Sequence, residues 1–226
     1  QTEASLLSAS ALDKIKPIFH QDNFTWESAL QLYAEGKNEQ ALFALGHALH
    51  LIEDMAVPDH TRNDAHPPFD HGGSPYENWS HKFDLANPDA DLTGRLKNKK
   101  PISLVSLPEY FDSIAIYSNN NFYSRDSIKS YELPKPDYFS KSGRYFYGFK
   151  KDVEGDYKLA SFTRNPEEFD WLENSEASLS DKQGELVLQD YWHRLSTKAV
   201  QHVAGAINLF FQEAEEREQS PEKTTK

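Results

Sequence analysis

The stretch Glu39-Gln40-Ala41-Leu42-Phe43-Ala44-Leu45-Gly46-His47-Ala48-Leu49-His50-Leu51-Ile52-Glu53-Asp54-Met55-Ala56-Val57 decides how this chain is read. Placed on a helical wheel at about 100° per residue, His47, His50 and Asp54 share one narrow stripe, while Leu42, Leu45, Leu49 and Ile52 take the opposite side. Phe43, Ala44 and Leu51 flank the polar stripe, so the pattern predicts a helix that is apolar nearly all round and therefore buried. Two imidazoles and a carboxylate buried without partners would cost several kcal/mol. A metal ion relieves that cost, because it binds neutral imidazole and deprotonated carboxylate. Pro58 is expected to end the helix, with His60 where the chain turns back. The spacing H-x3-D-x5-H thus offers three ligands, His50, Asp54 and His60, from a helix end and its turn. The ordinary alternative is a His–Asp pair capping a helix, with His60 on the surface. Six of the nine histidines lie between His47 and His81, and His66, His71 and Glu77 follow closely, which favours the metal.

Outward from this helix the pattern is mainly α. Thr25, with Ser28 three residues on, predicts an N-cap for a helix near 26–35, and Gly36-Lys37-Asn38 separates it from the one near 39–57. A short helix is expected around Ser5–Ile15. Residues 58–76 carry Pro58, Pro67, Pro68, Gly72, Gly73 and Pro75 and read as a loop with at most single turns. Helix restarts at Tyr76–Asp84, residues 85–104 read as polar loop, and 107–120 read as helix. Between 101 and 170 lie 15 of the 25 Tyr and Phe residues. There Arg144–Phe149 and Tyr157–Phe162 resemble a hairpin about Glu154-Gly155, a small β-containing insertion. Ser180-x-x-Gln183 has the form of a capping box opening a long helix, along which Leu188, Tyr191, Leu195, Ala199, Val203, Ala206 and Phe210 recur at helical steps. After Gln212, the tail 213–226 reads as frayed and disordered.

The 226 residues, 38% hydrophobic and 27% charged, suit one folded domain spanning 1–226. No apolar run reaches the 18 residues of a membrane span. No signal peptide is visible at Gln1, although a mature start after cleavage, or a start inside a longer chain, would read the same. Cysteine is absent, so disulfides, thiolate metal sites and cysteine nucleophiles are excluded, and any transition metal falls to His, Asp and Glu. A net charge of −12 argues against coating nucleic acid or being drawn to an anionic membrane, and bound divalent cations would offset part of it.

The segment Leu45-Gly46-x-x-Leu49-His50-x-x-x-Asp54-x-x-x-Pro58-x-His60-x-x-Asn63 resembles the core motif of bacterial zinc-dependent phospholipases C and of the single-strand nucleases that share their fold. The resemblance implies a mostly helical, phospholipase C-like domain with two or three zinc ions in a cleft. It implies that His50 and Asp54 serve one zinc, that Asp54 also bridges to another, and that His60 serves the remaining ion. The family completes that last site with H-x-x-x-E, and Tyr76-Glu77-Asn78-Trp79 matches its end, which makes Glu77 the carboxylate ligand. The histidine departs from the register: His71 lies six residues before Glu77 and is favoured over His66, with His81 the weaker choice. Asn63-Asp64-Ala65-His66 resembles a segment of large bacterial relatives. Family members also begin with a Trp that binds zinc and supply further ligands upstream. Gln1 is not Trp, and His20 is the lone histidine before His47, so either an N-terminal part of the domain is missing or fewer zincs bind. Tyr110–Ile128 and Ala199–Phe211 resemble the relatives more weakly.

The implied activity is hydrolysis of phosphate esters by a zinc-bound hydroxide, most simply phospholipase C action on phospholipids, with peripheral membrane contact and a secreted or cell-envelope location. No general base is assigned. The alternatives are a nuclease of the same fold and a non-catalytic protein with a structural metal. The sequence leaves headgroup preference and oligomeric state open. The aromatic insertion could meet acyl chains, but an ordinary β core is the simpler reading. His47 reads as a core residue or as support to a ligand, and His193 and His202 as structural or solvent-facing. Arg62 is a candidate phosphate contact, against a surface salt bridge to Asp59 or Asp64.

Overall fold

The computed structural model describes residues 24–62, 64, 73–86, 90–124, 134–168, 178–179 and 185–219. Among them the chain is mainly helical, with one small sheet: α1 (Trp26–Ala34), α2 (Asn38–Asp54), α3 (Pro58–Thr61), α4 (Pro75–Ala86), α5 (Ala90–Leu96), α6 (Leu107–Asn121), β1 (Tyr138–Ser142), β2 (Tyr145–Lys150), β3 (Tyr157–Phe162) and α7 (Glu185–Gln219). The expected helix at Ser5–Ile15 and the capping box at Ser180–Gln183 lie outside the described residues. The chain divides into two compact units, Gln1–His50 with Phe210–Lys226, and Leu51–Leu209.

In the first unit the punctuation read from the sequence sets the helix ends. Thr25 accepts the Ser28 N–H at 3.2 Å, and Ser28 Oγ accepts the Thr25 N–H at 3.0 Å, a reciprocal capping box. Gly36, at φ 75°, takes the left-handed position that ends α1. Gly36 and Lys37 N–H then bond to the Tyr33 and Leu32 carbonyls, both at 2.9 Å, completing a Schellman motif. The C-terminal turns of α7 belong here too, and over 213–219 they correct the frayed tail expected after Gln212, residues 220–226 lying outside the described residues. Trp26 Nε1 donates to Glu213 at 2.8 Å, Ala214 is buried, and the Arg217 fork meets both oxygens of Glu27 at 2.7 and 2.6 Å. Edge-to-face packing of Trp26 on Phe210, at 5.5 Å between ring centres, adds apolar contact that the charged composition of the tail conceals.

Helix α2 is buried on one face rather than all round. Its buried positions are Ala41, Ala44, Leu45, Ala48 and Ile52, spaced by three or four, and small residues supply most of that face. Leu42, Phe43 and Leu51 are exposed at 49, 60 and 51%, as are His47 and His50. The argument that a dry helix must neutralise its histidines therefore fails for this stripe. Of the side expected opposite the polar stripe, Leu45 and Ile52 are buried while Leu42 is exposed and Leu49 half-buried. The packed face is turned toward Ala41, Ala44 and Ala48, and the flanking Phe43 and Leu51 do not extend it.

In the second unit the strands form an antiparallel sheet in the order β1-β2-β3, with Ser140 opposite Tyr147 and Tyr147 opposite Ser161. The hairpin read from Arg144–Phe149 and Tyr157–Phe162 is the β2–β3 pair. β1 was missed because Tyr138-Phe139-Ser140-Lys141-Ser142 loses its apolar alternation after two residues. Tyr191 of α7 ties sheet, helix and loop together. Its hydroxyl donates to the Leu159 carbonyl at 2.8 Å and accepts the Tyr123 N–H at 3.1 Å. Burial pushes this phenol far up, so it serves as a neutral donor. Helix α5 corrects the loop expected over 85–104: polar residues dominate its sequence, but Arg95 anchors it by bonds of 3.3 Å to Thr197 Oγ1 and Ser196 Oγ of α7.

Candidate metal centre

Three of the residues singled out by spacing or by the motif resemblance come together within the second unit, each at a helix end. Asp54 closes α2, His60 sits in the single turn α3, and Glu77 stands in the first turn of α4. Pro58 does not simply stop a helix. It occupies the first position of α3, where its fixed φ suits a helix start and its missing N–H costs nothing. The Asp54–Pro58 turn therefore reverses the chain and lays His60 back against the end of α2.

That placement is locked by main-chain bonds. His60 Nδ1 donates to the Asp54 carbonyl at 3.1 Å. A carbonyl can only accept, so Nδ1 is the donor in this bond and Nε2 is the ring nitrogen turned toward Glu77. Nε2 faces Glu77 Oε1 at 3.6 Å, and the Asp54 carboxylate lies 4.0 Å from Nδ1. A lone pair facing a carboxylate oxygen is repulsive unless something positive lies between them. That is either a second ring proton, making an imidazolium, or a cation. Two ligands held at 2.0–2.1 Å by a tetrahedral zinc ion stand about 3.4 Å apart. The His60–Glu77 separation thus suits a shared ion, and an Nδ1–H bonded to a carbonyl is the usual support of a metal-binding imidazole.

Helix α6 supports the turn from behind. Asn119 Nδ2 donates to the Thr61 carbonyl at 2.7 Å, and Ser118 Oγ donates to Ala56 at 3.4 Å. Arg62 turns its guanidinium onto the end of α6, where Nε donates to Phe122 O at 2.9 Å and Nη2 bonds the Asn119 carbonyl. Cations at a helix C-terminus complement its exposed carbonyls. An anion meeting Arg62 would share it with these two groups.

In front, Ser74 holds α4. Its hydroxyl accepts the Glu77 N–H at 3.2 Å and donates to Asp59 Oδ2 at 2.8 Å, with Asp59 only 1% exposed. Sequence reading treated Asp59 as a surface partner for Arg62 and gave Ser74 no role. The signal available was Ser74-Pro75, a cap residue followed by proline at the first helical position.

The other candidates fall elsewhere. His50 belongs to the first unit and is exposed, four residues before Asp54 on the same helix. His47 stacks on Phe24, 4.4 Å between ring centres. His81 is exposed on α4. His202 is buried and bonded to the Lys198 carbonyl at 2.7 Å, and burial holds its imidazole below the ordinary value. His20, His66 and His71 lie outside the described residues. Among the described residues, no group of three His, Asp or Glu side chains is placed to hold one ion together. The described part of the site offers two donors that fit a common ion, with Asp54 alongside.

Comparison of the chain with profiles of protein families, with characterised proteins and with solved structures finds no match.

Proposed function

We propose that this chain is a zinc-dependent phosphodiesterase with a phospholipase C-like helical fold, acting on phospholipid phosphodiesters. The observation that carries the reading is the His60 Nε2–Glu77 Oε1 approach of 3.6 Å, with the ring proton committed to the Asp54 carbonyl. It couples two residues, seventeen apart in sequence, that the motif resemblance independently assigns to one ion. His60 and Glu77, completed by His71 or His66, would hold one zinc. His50 and Asp54 would serve another, as the resemblance implies. His20 is the candidate for upstream ligation.

Zinc in such a site supplies a Lewis acid for the phosphoryl oxygens and acidifies bound water toward neutral pH. The chain's own part is orientation. Asp54 O fixes the His60 tautomer, the α6 clamp fixes the turn, and Ser74 fixes the first turn of α4. Among the described residues no helix is long and apolar enough to cross a membrane.

The test is hydrolysis of a phosphocholine ester and of single-stranded DNA by the full chain, with zinc and after chelation. Chelator-sensitive turnover of the ester supports the proposal. Preference for DNA would move the assignment to a nuclease. Tight zinc binding with neither activity would leave a structural metal.

A further inference from the structure

The buried pair Asp59–Ser74 has a consequence for the site that neither residue's own position suggests. Asp59 lies one residue before His60 in α3, and Ser74 lies at the foot of α4, fifteen residues on. Their bond of 2.8 Å is wholly buried and joins the element carrying the imidazole to the element carrying the carboxylate. Ser74 Oγ uses its proton on Asp59 and its lone pair on the Glu77 N–H at 3.2 Å. One hydroxyl thus fixes both the partner helix and the residue whose side chain must reach Nε2. Asp59 is anchored in turn through its carbonyl, which accepts the Asp64 N–H at 3.0 Å.

We infer that Asp59 and Ser74 are positioning residues that set the His60–Glu77 separation and thereby the metal affinity of that pair. The inference rests on the metal reading above. A plain capping role for Ser74 would need no buried carboxylate behind it, since a serine hydroxyl caps a helix unaided. Here the acceptor makes the hydroxyl rotor single-valued, pointing its lone pair at the Glu77 amide. Loss of such supporting partners lowers metal affinity about 10–100-fold.

The experiment uses the full chain and zinc alone. The zinc dissociation constant is measured by competition with a chelating dye for Ser74→Ala, Asp59→Leu and Asp59→Asn, each with Glu77 intact and with Glu77→Gln. Asparagine keeps an oxygen acceptor for Ser74, so Asp59→Asn should stay near the wild type. Ser74→Ala and Asp59→Leu should each weaken zinc about 10–100-fold with Glu77 present, and by less than about 2-fold once the carboxylate is gone. Equal losses in both backgrounds, or no loss, would overturn the inference.

Hydrogen exchange at the Glu77 amide reads the same relay without metal. It should quicken in Asp59→Leu as it does in Ser74→Ala. Wild-type exchange in Asp59→Leu overturns the relay. A wild-type chain that takes up no zinc defeats the proposed function, and the exchange result then decides the relay alone.

Discussion

Gly205 of α7 gives the sharpest energetic forecast. The segment at Ile102 crosses the helix there so closely that a Cβ on residue 205 would sit 1.8 Å from the Ile102 carbonyl oxygen and 2.8 Å from the Tyr110 hydroxyl. To reach ordinary contact at 3.4 Å the carbonyl must retreat by about 1.6 Å. It is not free to do so: Ile102 N–H donates to Gln201 O at 3.0 Å, and Tyr110 OH donates to Ile102 O at 2.9 Å. Overpacking costs about 1–3 kcal/mol, and the two strained hydrogen bonds about 1 kcal/mol each. Alanine returns about 1 kcal/mol of helix propensity. Gly205→Ala should therefore destabilise by about 2–4 kcal/mol, lowering Tm by about 5–15 °C at this chain length. Urea unfolding followed by circular dichroism measures it. A variant within about 0.5 kcal/mol of the wild type would refute the close crossing, and with it the anchoring of α6 that supports the His60 turn.

Arg62→Ala should cost about 1.5–3 kcal/mol, because charged donors to the two α6 carbonyls are lost. A raised KM with unchanged stability would instead give Arg62 to substrate. Truncation after Gln212 removes the Glu213 and Arg217 contacts and the buried Ala214, and should destabilise by about 1–3 kcal/mol; an unchanged melting curve would mean the last turns are not held. For His202, burial depresses the folded-state value, so the unfolded chain binds the proton more readily. Stability should then rise with pH up to about 6.5 and fall on acidification below it. His202→Phe should flatten that dependence in urea midpoints taken at pH 5 and pH 7, and an undiminished slope would assign it to other groups.

Local chemistry made much of the helix set readable. Thr25-Ser28 and Gly36 each act through their own backbone geometry, so spacing located those boundaries, whereas Pro58, expected to end a helix at 57, instead opens α3 after α2 has closed at Asp54. Burial was harder. The α2 wheel could not reveal that alanines fill the packed face while Phe43 and Leu51 face outward, because what packs against a helix is set by distant parts of the chain. The tail and α5 were misread for a related reason: Arg217–Glu27 and Arg95–Thr197 join residues about a hundred or more apart, and polar composition conceals such anchors. In the site, motif spacing brought forward Asp54, His60 and Glu77. Asp59 and Ser74 stayed hidden because their significance lies in a contact between two turns.

Metal analysis of the full chain after equilibrium dialysis against zinc tests the central claim most directly. The account predicts two or three zinc ions per chain, with His60→Ala, Glu77→Ala and the double variant each losing the same single ion. Zinc-free protein, or a full complement of zinc retained by the double variant, would contradict it.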